Sequence, residues 1–142
     1  MKKVLVILAA ACMLSACKYY PEIPVTLPDG FVVDAWVADT PEKQERGLMH
    51  VTQLPENKGM IFTFDREGEQ LFWMKNTLID LDIIFMATDK TVTHVADNVP
   101  HSTLSTPDDQ VATAPGYGQY VLELAAGTAA KHGVMPGRKL AF

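Results

Sequence analysis

The stretch Leu71 to Phe85, LFWMKNTLIDLDIIF, constrains the fold more than any other part of this chain. Ten of its fifteen residues are large and apolar, and Lys75, Asn76, Asp80 and Asp82 are set among them. Successive side chains of a strand point to opposite faces. In Leu81 to Met86, Asp82, Ile84 and Met86 therefore share one face, and Ile83 and Phe85 the other. Both faces are rich in large apolar side chains, so this strand is expected at the centre of a sheet covered on both sides. Asp82 is then enclosed, and a buried carboxylate needs a cation or several hydrogen-bond donors. Lys75 and Arg46 are the natural partners. Glu123, between Leu122 and Leu124, poses the same problem.

The rest of the chain reads as short strands and two brief helices. Lys18 to Gly30 holds three prolines and little periodicity, as an extended tether does. FVVDAWVAD from Phe31 alternates as a strand. Thr40 followed by Pro41 and Glu42 signals a helix start, so a helix is expected from Pro41 to Leu48 or Met49. KGMIFTFD and EQLFWMKN read as two further strands. Asp82 to Met86 and Thr91 to Ala96 read as a hairpin around Thr88, Asp89 and Lys90. Asn98 to Gly118, with its prolines and glycines, reads as the longest loop. QYVLELAA is a late strand, Gly127 to His132 a short helix ending at Gly133, and Lys139 to Phe142 a final strand. The fold class expected is mainly β (a β-rich α+β chain), a sandwich or barrel of short strands with two short helices.

The N-terminus, MKKVLVILAAACMLSAC, has a basic start and an apolar run too short to cross a bilayer, which takes about 20 residues. Leu14-Ser15-Ala16-Cys17 resembles a bacterial lipobox. The resemblance implies a signal peptide over residues 1–16, lipid on Cys17, and a tether over 17–30 leading to a single domain over 31–142. Two or more acyl chains anchor durably. Lys18, in place of Asp, favours the outer membrane, with the domain facing the periplasm, by the same resemblance. Tyr19 and Tyr20, next to the anchor, suit the membrane interface. Loss of Lys2 and Lys3 takes the formal net charge from −5 to −7. No basic cluster exists, so no nucleic-acid partner is expected. No free thiol remains after processing, which removes disulfide, thiolate-metal and cysteine-nucleophile chemistry.

Several motifs then coincide: Arg46-Gly47-Leu48-Met49, Leu54-Pro55 with Gly59-Met60-Ile61-Phe62, Phe72-Trp73-Met74-Lys75-Asn76-Thr77, Leu81-Asp82-Ile83-Ile84-Phe85, and Val121-Leu122-Glu123-Leu124 with Ala126-Gly127. Together they resemble the prokaryotic family called domain of unknown function 192, also uncharacterised protein family 0127, over Val32 to Phe142. The resemblance implies a compact mainly-β domain of jelly-roll type and no agreed activity. The chain departs from the family pattern at Asp80, where Pro is frequent, at His50, where Arg is common, and at Arg138, where Asp is common.

Six side chains carry the candidate chemistry: Arg46, Trp73, Lys75, Asn76, Asp82 and Glu123. One reading is a structural network that fixes strand register and caps a short helix. The other is a pocket in which Arg46, Lys75 and Asn76 hold a small polar or anionic ligand while Asp82 and Glu123 set its charge. Lys75 and Asn76 are expected at a strand end on a concave rim, with Lys75 reaching Asp82 or Glu123. No Gly-x-Ser-x-Gly elbow, Walker loop or dinucleotide fingerprint is present. Met49, Met60, Met74, Met86 and Met135 lie in apolar segments where Met fills core gaps, and the histidines lack metal-ligand spacing, so no metal or cofactor is expected. The function read from the sequence is a lipid-anchored, envelope-facing binding or accessory module. The alternatives are a small envelope enzyme using Arg46, Lys75, Asn76, Asp82 and Glu123, and a structural or protein-partner role, the partner being an envelope protein.

Overall fold

A computed structural model describes residues 20–142. The signal segment, Cys17, Lys18 and Tyr19 lie outside the described residues. The elements are β1 (Glu22–Thr26), β2 (Val32–Ala38), α1 (Pro41–Arg46), β3 (Lys58–Trp73), β4 (Leu81–Met86), β5 (Val92–Val99), β6 (Thr113–Ala125) and α2 (Thr128–Lys131), with a 3₁₀ turn at Asp108–Gln110 before β6. The strands form one mixed sheet in the order β1-β2-β3-β6-β4-β5, in which β2 and β3 run parallel and the other neighbours antiparallel. The mainly-β expectation holds. The pairing order describes an open sheet, and it closes neither a barrel nor a jelly roll.

Both faces of the central strands are covered. On one face Trp36, Met60, Phe62, Ile83, Phe85 and Val121 form a core with Leu48, Met74 and Val111. On the other, Val33, Ala35, Ile61, Ile84, Met86, Leu122 and Leu124 pack with Val25, Ala129, Val134 and Leu140. All six residues of β4 are buried, as the apolar pattern on both faces requires.

Several segments differ from the sequence expectation, among them Lys139 to Phe142, which makes only isolated bridges to Thr91 and Thr26 and no strand. KGMIFTFD and EQLFWMKN are one strand, β3, because β6 pairs with both halves. Its register shifts between Thr63 and Gly68, and there the Gln119 side-chain amide donates to the Phe64 carbonyl, 3.2 Å away. Beyond this bulge the β3–β6 ribbon turns over the first face, bringing Phe72 to 4.8 Å from Phe62 and 5.8 Å from Phe85, edge to face in each case. The ribbon passes this close because β6 carries glycine: a Cβ on Gly116 would lie 2.4 Å from the Phe85 ring, and one on Gly118 would lie 2.4 Å from the Met86 carbonyl oxygen. Residues 113–118, expected in the long loop, are therefore strand. Pro115 is tolerated because β4 pairing begins only at Tyr120, which leaves β3 as the one partner strand at that point. Glu22–Thr26, expected as tether, is an edge strand on β2.

The short helices match the cap signals. Thr40 accepts from the Lys43 amide at 3.4 Å, Pro41 opens α1, and Gly47 at φ 46° ends it, earlier than Leu48 or Met49. Helix α2 is held from both ends. His132, buried at its C-cap, bonds Asp29 through Nδ1 at 2.7 Å and Glu56 through Nε2 at 2.6 Å, and stacks on Phe31 at 4.1 Å. Two carboxylates accept only, so both ring nitrogens carry protons, and the Asp29 bond, with Glu56 behind it, raises the His132 pKa.

At the other end, Asp82 is fully buried on the second face. Its Oδ2 accepts from the Ala129 amide of α2 at 2.8 Å, and its Oδ1 from the Asn98 amide at 2.9 Å. Asn98 is left-handed at φ 50°, which turns its N–H toward β4. Asp82 thus solves its burial with backbone donors, and neither Lys75 nor Arg46 approaches it in an ion pair. Removing it as Asp82→Ala strands both amides and is expected to cost at least about 2 kcal/mol in denaturant unfolding, since bonds to charged acceptors each contribute about 1.5–3 kcal/mol. Asp82→Asn, which keeps one acceptor oxygen, is expected to lose less.

Candidate functional site

A cleft of about 210 Å³ opens on the first face. One wall is the end of α1 and the turn after it, with Arg46, Gly47, Leu48 and Met49. Gln44 fastens this wall to the sheet by donating to the Thr63 carbonyl at 2.8 Å. The opposite wall is the distal half of β3, where Gln70, Leu71, Phe72 and Trp73 follow the bulge. The bend in the ribbon therefore creates the cleft: a straight β3 would carry Phe72 and Trp73 away from α1.

Glu123 lies in this cleft, with Phe62, Phe64 and Thr77. It is only 6% exposed, and its Oε2 is buried with no hydrogen-bond partner. The register explains why. Glu123 is opposite Met60 on β3 and Ile83 on β4, and neither offers a donor. Burial alone pushes its pKa up to about 8, so the group is a neutral carboxylic acid at pH 7. It is able to donate one hydrogen bond, to accept others, or to ionise when a cation arrives.

Arg46 stands at the mouth of the cleft, exposed, and has no ion pair among the described residues. Trp73 is half exposed on the opposite rim. A shallower groove continues from Arg46 and Met49 to His50 and Tyr20, where Lys43 Nζ lies 5.7 Å from the Tyr20 ring centroid.

The six sequence candidates thus divide. Arg46, Trp73 and Glu123 line one cleft. Asp82 faces the opposite side of the sheet. Lys75, in the connection after β3, pairs with Asp108 of the 3₁₀ turn rather than with Asp82 or Glu123, and does not line the cleft. Asn76 is left-handed at φ 51° and contributes its carbonyl, which accepts from the His50 amide at 2.9 Å. The expected single pocket of Arg46, Lys75, Asn76, Asp82 and Glu123 is therefore not formed, and only Arg46 and Glu123 of these line the cleft: a one-residue step along paired strands reverses the face, and the β3–β4 connection folds toward residues 102–112. Thr77, also buried in the cleft, was missed; its hydroxyl bonds the Lys75 carbonyl at 3.2 Å. Phe62, Phe64 and Phe72 lie in segments read as strands, and nothing in the strand pattern distinguishes a core ring from a cleft wall.

A model of the DUF192 family, described as an uncharacterised ACR, matches residues 25–142. A protein of unknown function from Novosphingobium aromaticivorans DSM 12444 has a solved structure that superposes with a TM-score of 0.72 at 35% identity, covering 85% of each chain. A protein from Sinorhizobium meliloti 1021, named as a candidate transcription regulator, superposes with a TM-score of 0.72 at 33% identity, covering 86% of this chain and 94% of that one. No curated protein matches. The family match spans β2 to β6 and both walls of the cleft, and the chain belongs to the uncharacterised DUF192 family.

Proposed function

We propose that this chain is a lipid-anchored binding module of the bacterial envelope, and that its ligand occupies the cleft over Glu123. The observation that carries the binding reading is the unpartnered, buried carboxyl in a cleft with room beside it. Buried polar groups are normally paired, so one left open toward a cleft points to a partner supplied from outside. The volume is below the roughly 300–1,000 Å³ of sites for drug-sized ligands, which suits a small molecule or one end of a larger one. The anchoring reading rests on the lipobox Leu14 to Cys17 behind its basic, apolar signal, and Lys18 directs the domain to the periplasmic side of the outer membrane. The acidic mature chain gives no support for a nucleic-acid partner.

A second reading is a small envelope enzyme in which Glu123 is a general acid or base, favoured by a pKa close to neutrality. The cleft offers little to complete it. The Thr77 hydroxyl is bonded to the Lys75 carbonyl, and Lys75 itself pairs with Asp108.

Native mass spectrometry of the chain, purified gently from its own envelope, is expected to show a retained small-molecule mass on the wild type that Glu123→Leu loses. A wild type found only at its bare mass, while Glu123→Leu is folded and equally bare, counts against the binding reading.

The acid also sets a pH dependence. Folded Glu123 keeps its proton to about pH 8, and an unfolded glutamate loses it near 4.5. Between those values the native state binds more protons than the unfolded state, so stability falls as pH rises through the window and levels off above it. Relative to Glu123→Gln, the wild type is expected to lose on the order of a few kcal/mol from pH 5 to 8. Parallel stability curves for the two proteins would show that Glu123 is not held neutral.

For the anchor, Cys17→Ser is expected to move the protein from the membrane to the soluble periplasmic fraction. Unchanged membrane recovery would remove lipid on Cys17 as the attachment.

A further inference from the structure

The cleft is chemically two-ended. Its enclosed end holds a carboxyl flanked in register by Met60 and Ile83, with Phe62, Phe64 and Phe72 among the surrounding walls. Aromatic faces attract cations, and a buried acid whose Oε2 lacks a donor ionises when a cation comes to meet it. Its open end holds Arg46, whose guanidinium has no ion pair among the described residues and whose fork suits a phosphate or carboxylate. The other charged side chain lining the cleft is Glu45, exposed at the mouth.

We propose that the cleft takes a zwitterion, an organic ammonium bearing a nearby anionic group, with the ammonium at Glu123 among the phenylalanine rings and the anion at Arg46. This names the ligand class for the site proposed above and rests on that reading. A neutral hydrogen-bonding ligand would leave the rings and Arg46 unused. A simple anion would use Arg46 and leave the buried acid without a hydrogen-bond partner for Oε2.

Binding then has a defined proton balance. In the free protein at pH 6.5 Glu123 holds a proton and the ligand amine is already an ammonium. In the complex the carboxylate is ionised against the ammonium, and the Glu123 proton passes to the buffer. No covalent bond forms or breaks. The source of the zwitterion is either a free solute or a phospholipid headgroup. The geometry is compatible with the second, because Tyr20 borders the groove running from Arg46 and is three residues from Cys17, a span of about 10 Å fully extended.

The test is isothermal titration of the mature chain, purified in non-ionic detergent, with O-phosphoethanolamine at pH 6.5 in two buffers of different ionisation enthalpy. Binding is expected with close to one proton released per ligand. Glu123→Gln is expected to abolish the release, and Arg46→Gln, at an exposed position that leaves the fold intact, to weaken binding roughly tenfold or more with the release retained. If the soluble zwitterion is silent while mixed micelles containing phosphatidylethanolamine, but not phosphatidylglycerol, give the same proton release, the headgroup is the source and the proposal stands. Binding without proton release overturns the ammonium at Glu123. No binding in either arm, with a different retained mass in the native spectrum, overturns the ligand class and leaves the binding reading intact. No binding and no retained mass overturns both.

Discussion

The pairing of β6 between β3 and β4 is the interaction on which the rest of this structure depends. It buries both faces of the central strands, so each side of the sheet needs its own cover. On one side the cover comes from α2, the final residues and β1. On the other it comes from the ribbon itself, which bends at the Thr63–Gly68 irregularity and folds back over Phe85. Parallel pairing of β2 with β3 then brings α1, the crossover between them, to the edge of that folded ribbon. The cleft is the space left where two separately positioned covers, α1 and the distal ribbon, meet over one face.

Asp82 and Glu123 show how the same sheet treats two similar groups. They sit on adjacent strands, one register position apart, and both are buried. Asp82 faces the side where a helix N-terminus and a left-handed Asn98 present backbone amides, and it is fully paired. Glu123 faces the side built from aromatic and aliphatic side chains and is left without a partner for Oε2. The first arrangement lowers the free energy of the fold. The second raises it, since an unpaired buried acceptor costs about 1–3 kcal/mol. A fold that supplies two amides to one acid and none to the other separates structural polarity from polarity kept open for a ligand.

Much of this architecture was legible in the residues. The alternation in Leu81 to Met86 required a strand covered on both sides, and Thr40, Pro41 and Glu42 marked the start of a short helix through capping, backbone preference and the helix dipole. Those signals are local and act within a few residues. The union of two apparent strands into β3 was not legible, because Asp65 to Gly68 look like a turn unless β6 is present to pair on either side. Pro115, Gly116 and Gly118 looked like loop for the same reason: their compatibility with a strand comes from the missing second partner and from the close approach to Phe85 and Met86.

The sequence by itself determined that Asp82 and Glu123 would be buried and that Arg46 would sit in a short helix. Only the tertiary structure decided which of these groups meet. Side-chain direction alternates with every residue, so strand register fixes whether two buried acids share a pocket or sit back to back across a sheet. Here it places them back to back, gives Lys75 to Asp108 and leaves Glu123 facing Arg46's side of the molecule, a division that arises from long-range pairing and has no counterpart in local sequence.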